Sequence, residues 1–190
     1  MKKITVLLFL VFGSHLLFAQ KVDTIRKMVN GTPMFSTNDV FQNLSDNKDF
    51  SIFISLVKEA GLTDTLKQHG PITIFAPDNK AFQKLGQSCI DTIEKPSHRP
   101  FLVALILNHV FAGEFTSKDL AKQMFANGGF WILHALSGYV WAVHLDTNRN
   151  IVIISKNTGS SISVISKFDI KQKNGELFVI TDVLNPKVEW

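Results

Sequence analysis

Histidine and cysteine are the side chains best suited to bind a transition metal, and this sequence spaces them far apart. Zinc motifs place such ligands a few residues from one another, typically two histidines at i and i+4 on a helix. No such pair occurs on a predicted helix, and Cys89 is the sole cysteine. A site assembled from distant histidines stays open at this point. The histidines that follow the first 20 residues are His69, His98, His109, His134 and His144.

Serine and carboxylate side chains do not form a recognisable catalytic motif either. The sequence has no Gly-x-Ser-x-Gly, no glycine-rich phosphate loop and no calcium loop. Gly159-Ser160-Ser161 lies in a polar stretch without a nearby histidine or acid, which is typical of a loop turn. Asp78, Asp169 and Asp182 fall at predicted turns or strand ends, where capping is the usual role. We therefore predict no enzyme, no catalytic residue, no metal and no cofactor.

The densest aromatic group comprises Phe130, Trp131, Tyr139 and Trp141. A hydrophobic core is the favoured interpretation, and a partly exposed groove for a partner or an apolar ligand is the alternative. Trp131 is expected to be more exposed than Trp141, because it follows Gly128-Gly129 at a predicted loop. His109 ends an apolar stretch, so a core imidazole bonded to backbone is favoured over a ligand role.

The first residues predict export. Met-Lys-Lys precedes an apolar run from Ile4 to Phe18, and Ala19 is small, so residues 1–19 are interpreted as a signal peptide whose removal leaves Gln20 first. The run is shorter than the roughly 20 residues that span a bilayer. We expect no transmembrane anchor after cleavage, and a periplasmic, surface-associated or secreted location. The composition favours a bacterial chain.

Charge and length narrow the class further. The net charge is +4, and removal of Lys2 and Lys3 would lower it to about +2. This is too weak a charge for a nucleic-acid partner, and no basic stripe with interleaved aromatics occurs. A lone cysteine excludes an intramolecular disulfide. The remaining length suits one domain, whose core would draw on 16 phenylalanines.

Helical patterns dominate the first half. Residues 20–36 are interpreted as an N-terminal arm without regular structure, followed by a short helix capped by Thr37 or Asn38. Gly61 is predicted to end the next helix. Gly70–Phe82 predicts a strand, a turn at Pro77 and a short helix capped by Asp78. Gln87–Arg99 is less regular, and a buried helix is predicted from Phe101 to Val110, with a short helix at Lys118–Leu120 after it. The apolar face of the second helix comprises Phe50, Phe53, Ile54, Val57 and Ala60.

Strand patterns dominate from Phe130 onward. Residues 139–145 alternate, Ile151–Ile154 is apolar and β-branched, and Ser161–Ile165 is a further candidate strand. Asn174-Gly175 is a strong hairpin signal between two more. Helices in the first half and strands in the second predict the α+β class.

Several segments resemble the signatures of the fasciclin domain family, in the family's order. Thr73–Phe82, reading Thr-Ile-Phe-Ala-Pro-Asp-Asn-Lys-Ala-Phe, is similar to the first signature. The resemblance extends over about residues 37–187. The later matching segments are Leu107–Val110, Gly113, Ser117–Leu120, Leu136–Gly138, Phe168–Ile170, Asn174-Gly175, Val179–Leu184 and Pro186.

The resemblance implies a fold and a function. The fold is a β-wedge of antiparallel and mixed strands packed with several short helices, over residues 37–187. The implied function is a non-enzymatic adhesion module that binds proteins or glycans at the cell envelope or surface. The alternative is a carrier of a small hydrophobic ligand such as a carotenoid or lipid, since some fasciclin-type proteins bind carotenoids.

The chain departs from the family pattern at two positions. Asn108 replaces the tyrosine before the histidine, and Phe178 stands where histidine is frequent. Integrin binding, tied to the Tyr-His region of animal members, is therefore not carried over. The candidate partner-binding residues are Asn108, His109, Asp119, Leu120, Trp131, Tyr139 and Trp141.

Overall fold

A computed structural model describes residues 24–68, 70–156 and 162–185. The predicted signal peptide, His69 and Gly159-Ser160-Ser161 lie outside these residues. The described part of the chain contains a two-stranded sheet, a seven-stranded sheet and a group of short helices. None of the helices in these residues has the length and apolarity needed to cross a membrane.

The N-terminal segment forms a β-hairpin. Strands β1 (Arg26–Val29) and β2 (Thr32–Phe35) pair antiparallel. Asn30 and Gly31 turn the chain with φ of 50° and 82°, as a two-residue hairpin of this type requires. Val29 and Met34 are buried in the same core as the helices. The prediction of an arm without regular structure is therefore wrong for this segment.

The first helices are α1 (Val40–Ser45), α2 (Ser51–Glu59) and α3 (Thr63–Gln68). Asp39 caps α1 by accepting the Gln42 N–H at 2.8 Å, so the predicted caps at residues 37 and 38 are wrong. The apolar face of α2 is buried as predicted. Gly61 ends α2 with φ of 74°, and Leu62 N–H donates back to the Val57 carbonyl at 3.0 Å.

The predicted strand, turn and helix at the centre of the chain are confirmed. They form β3 (Ile72–Pro77) and α4 (Asn79–Gln83). The Asp78 carboxylate accepts the Ala81 N–H at 2.9 Å, which fixes the start of the helix. Each residue of β3 is buried, which places this strand in the interior of the domain.

Three more helices follow, with boundaries that differ from the predictions. The stretch predicted to be irregular contains α5 (Gln87–Ile93), which buries Ile90 and Ile93. Helix α6 (Arg99–Leu107) ends before Val110, because that residue begins strand β4 (Val110–Ala112). Helix α7 (Ser117–Ala126) is longer than the predicted Lys118–Leu120.

The remaining strands are β5 (Phe130–His134), β6 (Val140–Leu145), β7 (Ile151–Ser155), β8 (Ile162–Gln172) and β9 (Gly175–Ile180). They complete a seven-stranded sheet of order β4-β3-β9-β8-β7-β6-β5. Strands β3 and β9 pair in parallel, and the other neighbours pair antiparallel. The two strands predicted before Asn174 are one irregular strand, β8, with register shifts between Ile165 and Ile170.

The sheet curls so that its two outermost strands meet. Phe111 on β4 forms an isolated bridge with Ala135, and the Leu136 N–H donates to the Val110 carbonyl at 2.8 Å. One apolar cluster fills the inside of this wedge and includes Phe75, Trp141 and Phe178. The helices of the first half pack with the hairpin in a second cluster. The fold is α+β with a large mixed sheet, as predicted.

The β8–β9 hairpin turns through Lys173 and Asn174, because Gln172 and Gly175 are already paired. The Asn174 side chain accepts the Val40 N–H at 3.0 Å and donates to the Leu66 carbonyl at 2.7 Å. This turn therefore ties the sheet to helices α1 and α3.

Candidate functional site

His109 lies just beyond α6 and is completely buried. Its Nε2 accepts the Leu184 N–H at 2.9 Å, which leaves Nδ1 to donate to the Leu105 carbonyl, also at 2.9 Å. The ring packs edge-on against Phe53, with centroids 5.6 Å apart. Burial lowers the pKa of His109 to about 4, so the imidazole is neutral near pH 7. Both ring nitrogens are thus occupied by backbone groups, and the favoured interpretation as a core imidazole is confirmed.

Asn108 precedes His109 and lies at the C-terminal end of α6. Its side-chain amide donates to the Leu184 carbonyl at 3.3 Å, and its oxygen accepts the Ser137 hydroxyl. Asn108 is also completely buried. The two residues together hold the end of α6, the turn before β6 and the segment after β9 in one place.

The start of α7 is held by two acidic side chains. Thr116 and Asp119 form a capping box, in which the Thr116 N–H donates to Asp119 at 2.9 Å. The hydrogen bond from the Thr116 hydroxyl is the main cause that lowers the pKa of Asp119. The Asp169 carboxylate accepts the Ser117 N–H at 2.6 Å. Asp119 is exposed, whereas Leu120 in the next turn is completely buried.

The aromatic group divides between core and surface. Trp141 is completely buried inside the wedge, and its indole N–H has no hydrogen-bond partner among the described residues. Trp131 is half-buried and packs against Phe115, with rings 5.0 Å apart at 81°. Tyr139 is also half-buried, and Phe130 is 49% exposed. The expectation that Trp131 is more exposed than Trp141 is confirmed.

The predicted binding residues therefore fall into two groups. The structure encloses Asn108, His109, Leu120 and Trp141, and a partner that docks on the folded domain does not reach their side chains. Their interpretation as contact residues gives way to a structural role, because they fill the core or satisfy buried backbone groups. Solvent reaches Asp119, Trp131 and Tyr139, which stay predicted contact residues.

An apolar hollow of about 240 Å³ lies beside the C-terminal half of α7, and sequence patterns did not predict it. Phe125 forms part of its wall and is 92% exposed, whereas Met124 beneath it is buried. The predicted helix Lys118–Leu120 ends before Phe125, so the prediction gave no position for this side chain. In the longer α7, Phe125 lies outside the buried face formed by Leu120 and Met124. An apolar cavity of about 150 Å³ holds benzene, so this hollow can receive an apolar side chain or a short hydrocarbon. Its lining residues are Ala121, Met124, Phe125, Gly129, Leu145 and Ile151.

A buried acid on β9 is the second feature that the sequence patterns did not predict. Glu176 is only 3% exposed, and its Oε1 has no hydrogen-bond partner among the described residues. Burial is the main cause that raises the pKa of Glu176 to about 7. The sequence offered one signal for this buried acid, which is the position of Glu176 at the start of an apolar strand.

The described residues contain no group of three histidine, cysteine or acidic side chains placed to hold a metal ion. Cys89 is half-buried against the helical core, and burial raises the pKa of its thiol. A raised pKa disfavours the thiolate, which is the reactive form.

Comparisons with known proteins give matches to fasciclin domains. The sequence model of the Fasciclin domain matches residues 48–186. The protein sll1483 of Synechocystis is 28% identical over 151 residues, which cover 80% of this chain and 75% of that protein. The transforming growth factor-beta-induced protein ig-h3 of Oryctolagus cuniculus is 25% identical over 149 residues, or 77% of this chain, and the match spans only 19% of that longer protein.

A solved structure shows the same fold. The FAS1 domain pair from the insect cell adhesion molecule fasciclin I aligns with a TM-score of 0.68 and 20% sequence identity. The alignment covers 79% of this chain and 51% of that one.

Proposed function

The chain belongs to the fasciclin domain family, and on that premise we propose that it is an exported, non-enzymatic adhesion module that binds protein or glycan partners at the cell envelope or surface. Fasciclin domains are adhesion-related modules, and the family includes extracellular proteins. The binding surface is inferred from the residues of this chain and not from its relatives, because a shared fold does not specify what a protein binds.

The observation that carries the proposal is the hollow beside α7 with Phe125 at its rim. A phenylalanine that is 92% exposed next to an apolar hollow is unusual for a domain that stays alone in water. Leu145, 49% exposed, extends the same surface. Binding energy concentrates where a large apolar side chain meets a pocket. This surface is therefore the proposed contact for an apolar group of the partner.

The test compares variants of this surface with a matched control. Phe125→Ser and Leu145→Ser each remove an exposed apolar side chain at the hollow. The control is Ile162→Ser on β8, because Ile162 is 57% exposed, which is similar to the exposure of Leu145. Each protein is immobilised and exposed to envelope fractions of the native host, and captured partners are quantified by mass spectrometry. We expect at least a tenfold loss of capture for the first two variants, as for an interface hot spot. Unchanged capture by Phe125→Ser and Leu145→Ser would contradict the proposal. If only a further variant, Trp131→Ala, lost capture, the contact would be assigned to Trp131 instead.

A second candidate function is carriage of a hydrophobic small molecule such as a carotenoid or lipid. The apolar lining of the hollow favours it. The volume of about 240 Å³ is below the range of about 300–1,000 Å³ usual for drug-sized ligands, so a long ligand would be enclosed only in part. Solvent extraction of protein purified from the native host tests this function. A stoichiometric pigment or lipid would support carriage, and an empty extract with partner capture intact would support adhesion.

Export has a separate test. Amino-terminal sequencing of protein from the native host should find Gln20, or a residue close to it, as the first residue. An intact Met1 would contradict export through the predicted signal peptide.

A further inference from the structure

Glu176 lies on β9 two residues before Phe178, which belongs to the apolar cluster inside the wedge. It pairs in register with Thr73 on β3 and with Lys171 on β8. Residues directly opposite on antiparallel strands have Cβ atoms about 5 Å apart. The Lys171 ammonium nevertheless pairs with Glu114, which lies in the loop between β4 and α7. Glu176 thus faces a lysine that is bound to a different acid.

The other groups around Glu176 already have partners. The Thr73 hydroxyl donates to the Gly113 carbonyl and accepts the Phe115 N–H, both at 2.9 Å. The charged groups that face Glu176 are Lys171 and Asp169 from β8, Glu114 from the β4–α7 loop and Lys27 from β1. Asp169 accepts from the Ser117 N–H and hydroxyl, and Lys27 donates to the Phe168 and Asp169 carbonyls. Lys171 is half-exposed together with Glu114, so its side chain has room to turn.

We propose that Lys171 exchanges between Glu114 and Glu176, so that the protonation of Glu176 determines whether the β4–α7 loop is fixed to β8. With Glu176 protonated, Lys171 remains on Glu114. When Glu176 releases its proton to solvent, the buried Oε1 of the new carboxylate has no donor among the described residues. Lys171, which pairs with Glu176 in sheet register, carries an ammonium group that can supply the counter-charge. Lys171 then turns inward and Glu114 is released.

The exchange has a consequence beyond the sheet. Glu114 belongs to the loop that leads into α7 at Thr116, and the far end of α7 carries Phe125 and the hollow. Release of Glu114 removes one of the contacts that fix the start of this helix. Because burial raises the pKa of Glu176 to about 7, the exchange falls near neutral pH. The exchange involves the β4–α7 loop and the start of α7, and it does not depend on the proposed adhesion.

Nuclear magnetic resonance of the protein with ¹³C-labelled glutamate carboxyl groups tests the exchange between pH 4.5 and 9. Glu176, assigned with Glu176→Gln, should titrate with a midpoint near 7. The Glu114 carboxyl and the amides of residues 114–116 should show an inflection at the same midpoint. In Glu176→Gln this inflection should disappear. In Glu114→Gln, which leaves Lys171 unpaired with that residue, the Glu176 midpoint should fall. Glu59→Gln, an exposed site on α2, should change neither response.

Each other result would overturn the exchange. A Glu176 midpoint close to the ordinary 4.5 would mean that the carboxyl is hydrated. A midpoint near 7 without an inflection at residues 114–116 would mean that Lys171 does not move. Persistence of the loop inflection in Glu176→Gln would assign it to another group. The exposed positions of Glu114 and Lys171 keep the Glu114→Gln variant informative if Glu176→Gln fails to fold.

Discussion

The buried imidazole of His109 should make the stability of the domain depend on acid. Its pKa falls from 6.5 in the unfolded chain to about 4 in the fold, because the ring is enclosed and neutral. Between pH 6.5 and about 4 the unfolded state binds a proton that the folded state does not. The contribution is therefore complete above pH 6.5 and is lost as the pH falls through about 4. At about 1.4 kcal/mol for each pKa unit, the full loss is about 3–4 kcal/mol.

Glu176 opposes this dependence. Its pKa rises from 4.5 to about 7, so its contribution is complete below pH 4.5 and is lost as the pH rises through about 7. The two slopes have opposite signs between pH 4.5 and 6.5, and the wild-type stability should change little there. The contribution of His109 therefore becomes visible only after Glu176 has been neutralised.

The assay is urea unfolding between pH 4.5 and 7.5 in the Glu176→Gln background, with and without His109→Gln. We expect the background protein to lose about 2–3 kcal/mol more than the double variant on going from pH 7 to pH 4.5. A constant offset between the curves reports the lost hydrogen bonds and is not the test. His134→Gln, at an exposed position on β5, serves as the control and should leave the slope unchanged. Parallel curves for background and double variant would refute the buried neutral imidazole.

Three further predictions concern the stability of the fold. In Gly175→Ala the new Cβ would lie 1.8 Å from the Ile72 carbonyl oxygen, so β3 and β9 must separate. We expect the free energy of unfolding in urea melts to fall by about 3 kcal/mol or more. An equal loss in Gly128→Ala, where the described chain leaves open space around the new Cβ, would contradict this explanation. Phe75→Ala should lower the free energy of unfolding by about 3–5 kcal/mol, because Phe75 is completely buried with its ring 5.1 Å from Phe178; a loss below about 2 kcal/mol would argue against tight packing there. Reductant should leave the melting temperature unchanged in dilute solution, since Cys89 is the sole cysteine, and a clear shift would contradict this.

Local signals in the sequence determined the elements whose geometry depends on neighbouring residues. Asp78 caps α4 because its carboxylate reaches an N–H three residues on, and Gly61 ends α2 because it adopts a positive φ. The apolar face of α2 follows from helical periodicity. The hairpin at Asn30-Gly31 carried the same kind of signal, and the arm interpretation overlooked it. The order of the signature segments was also enough to identify the family.

Contacts between distant segments decided the rest. The Leu184 N–H that occupies His109 is donated from 75 residues away, and no local pattern specifies that partner. Trp141 and Trp131 have similar sequence surroundings, yet the curl of the sheet encloses one and leaves the other half-exposed. Glu176 is buried because β9 lies between β3 and β8. Helical and strand patterns indicate which residues face the same side of one element, whereas burial depends on what another element places against that side.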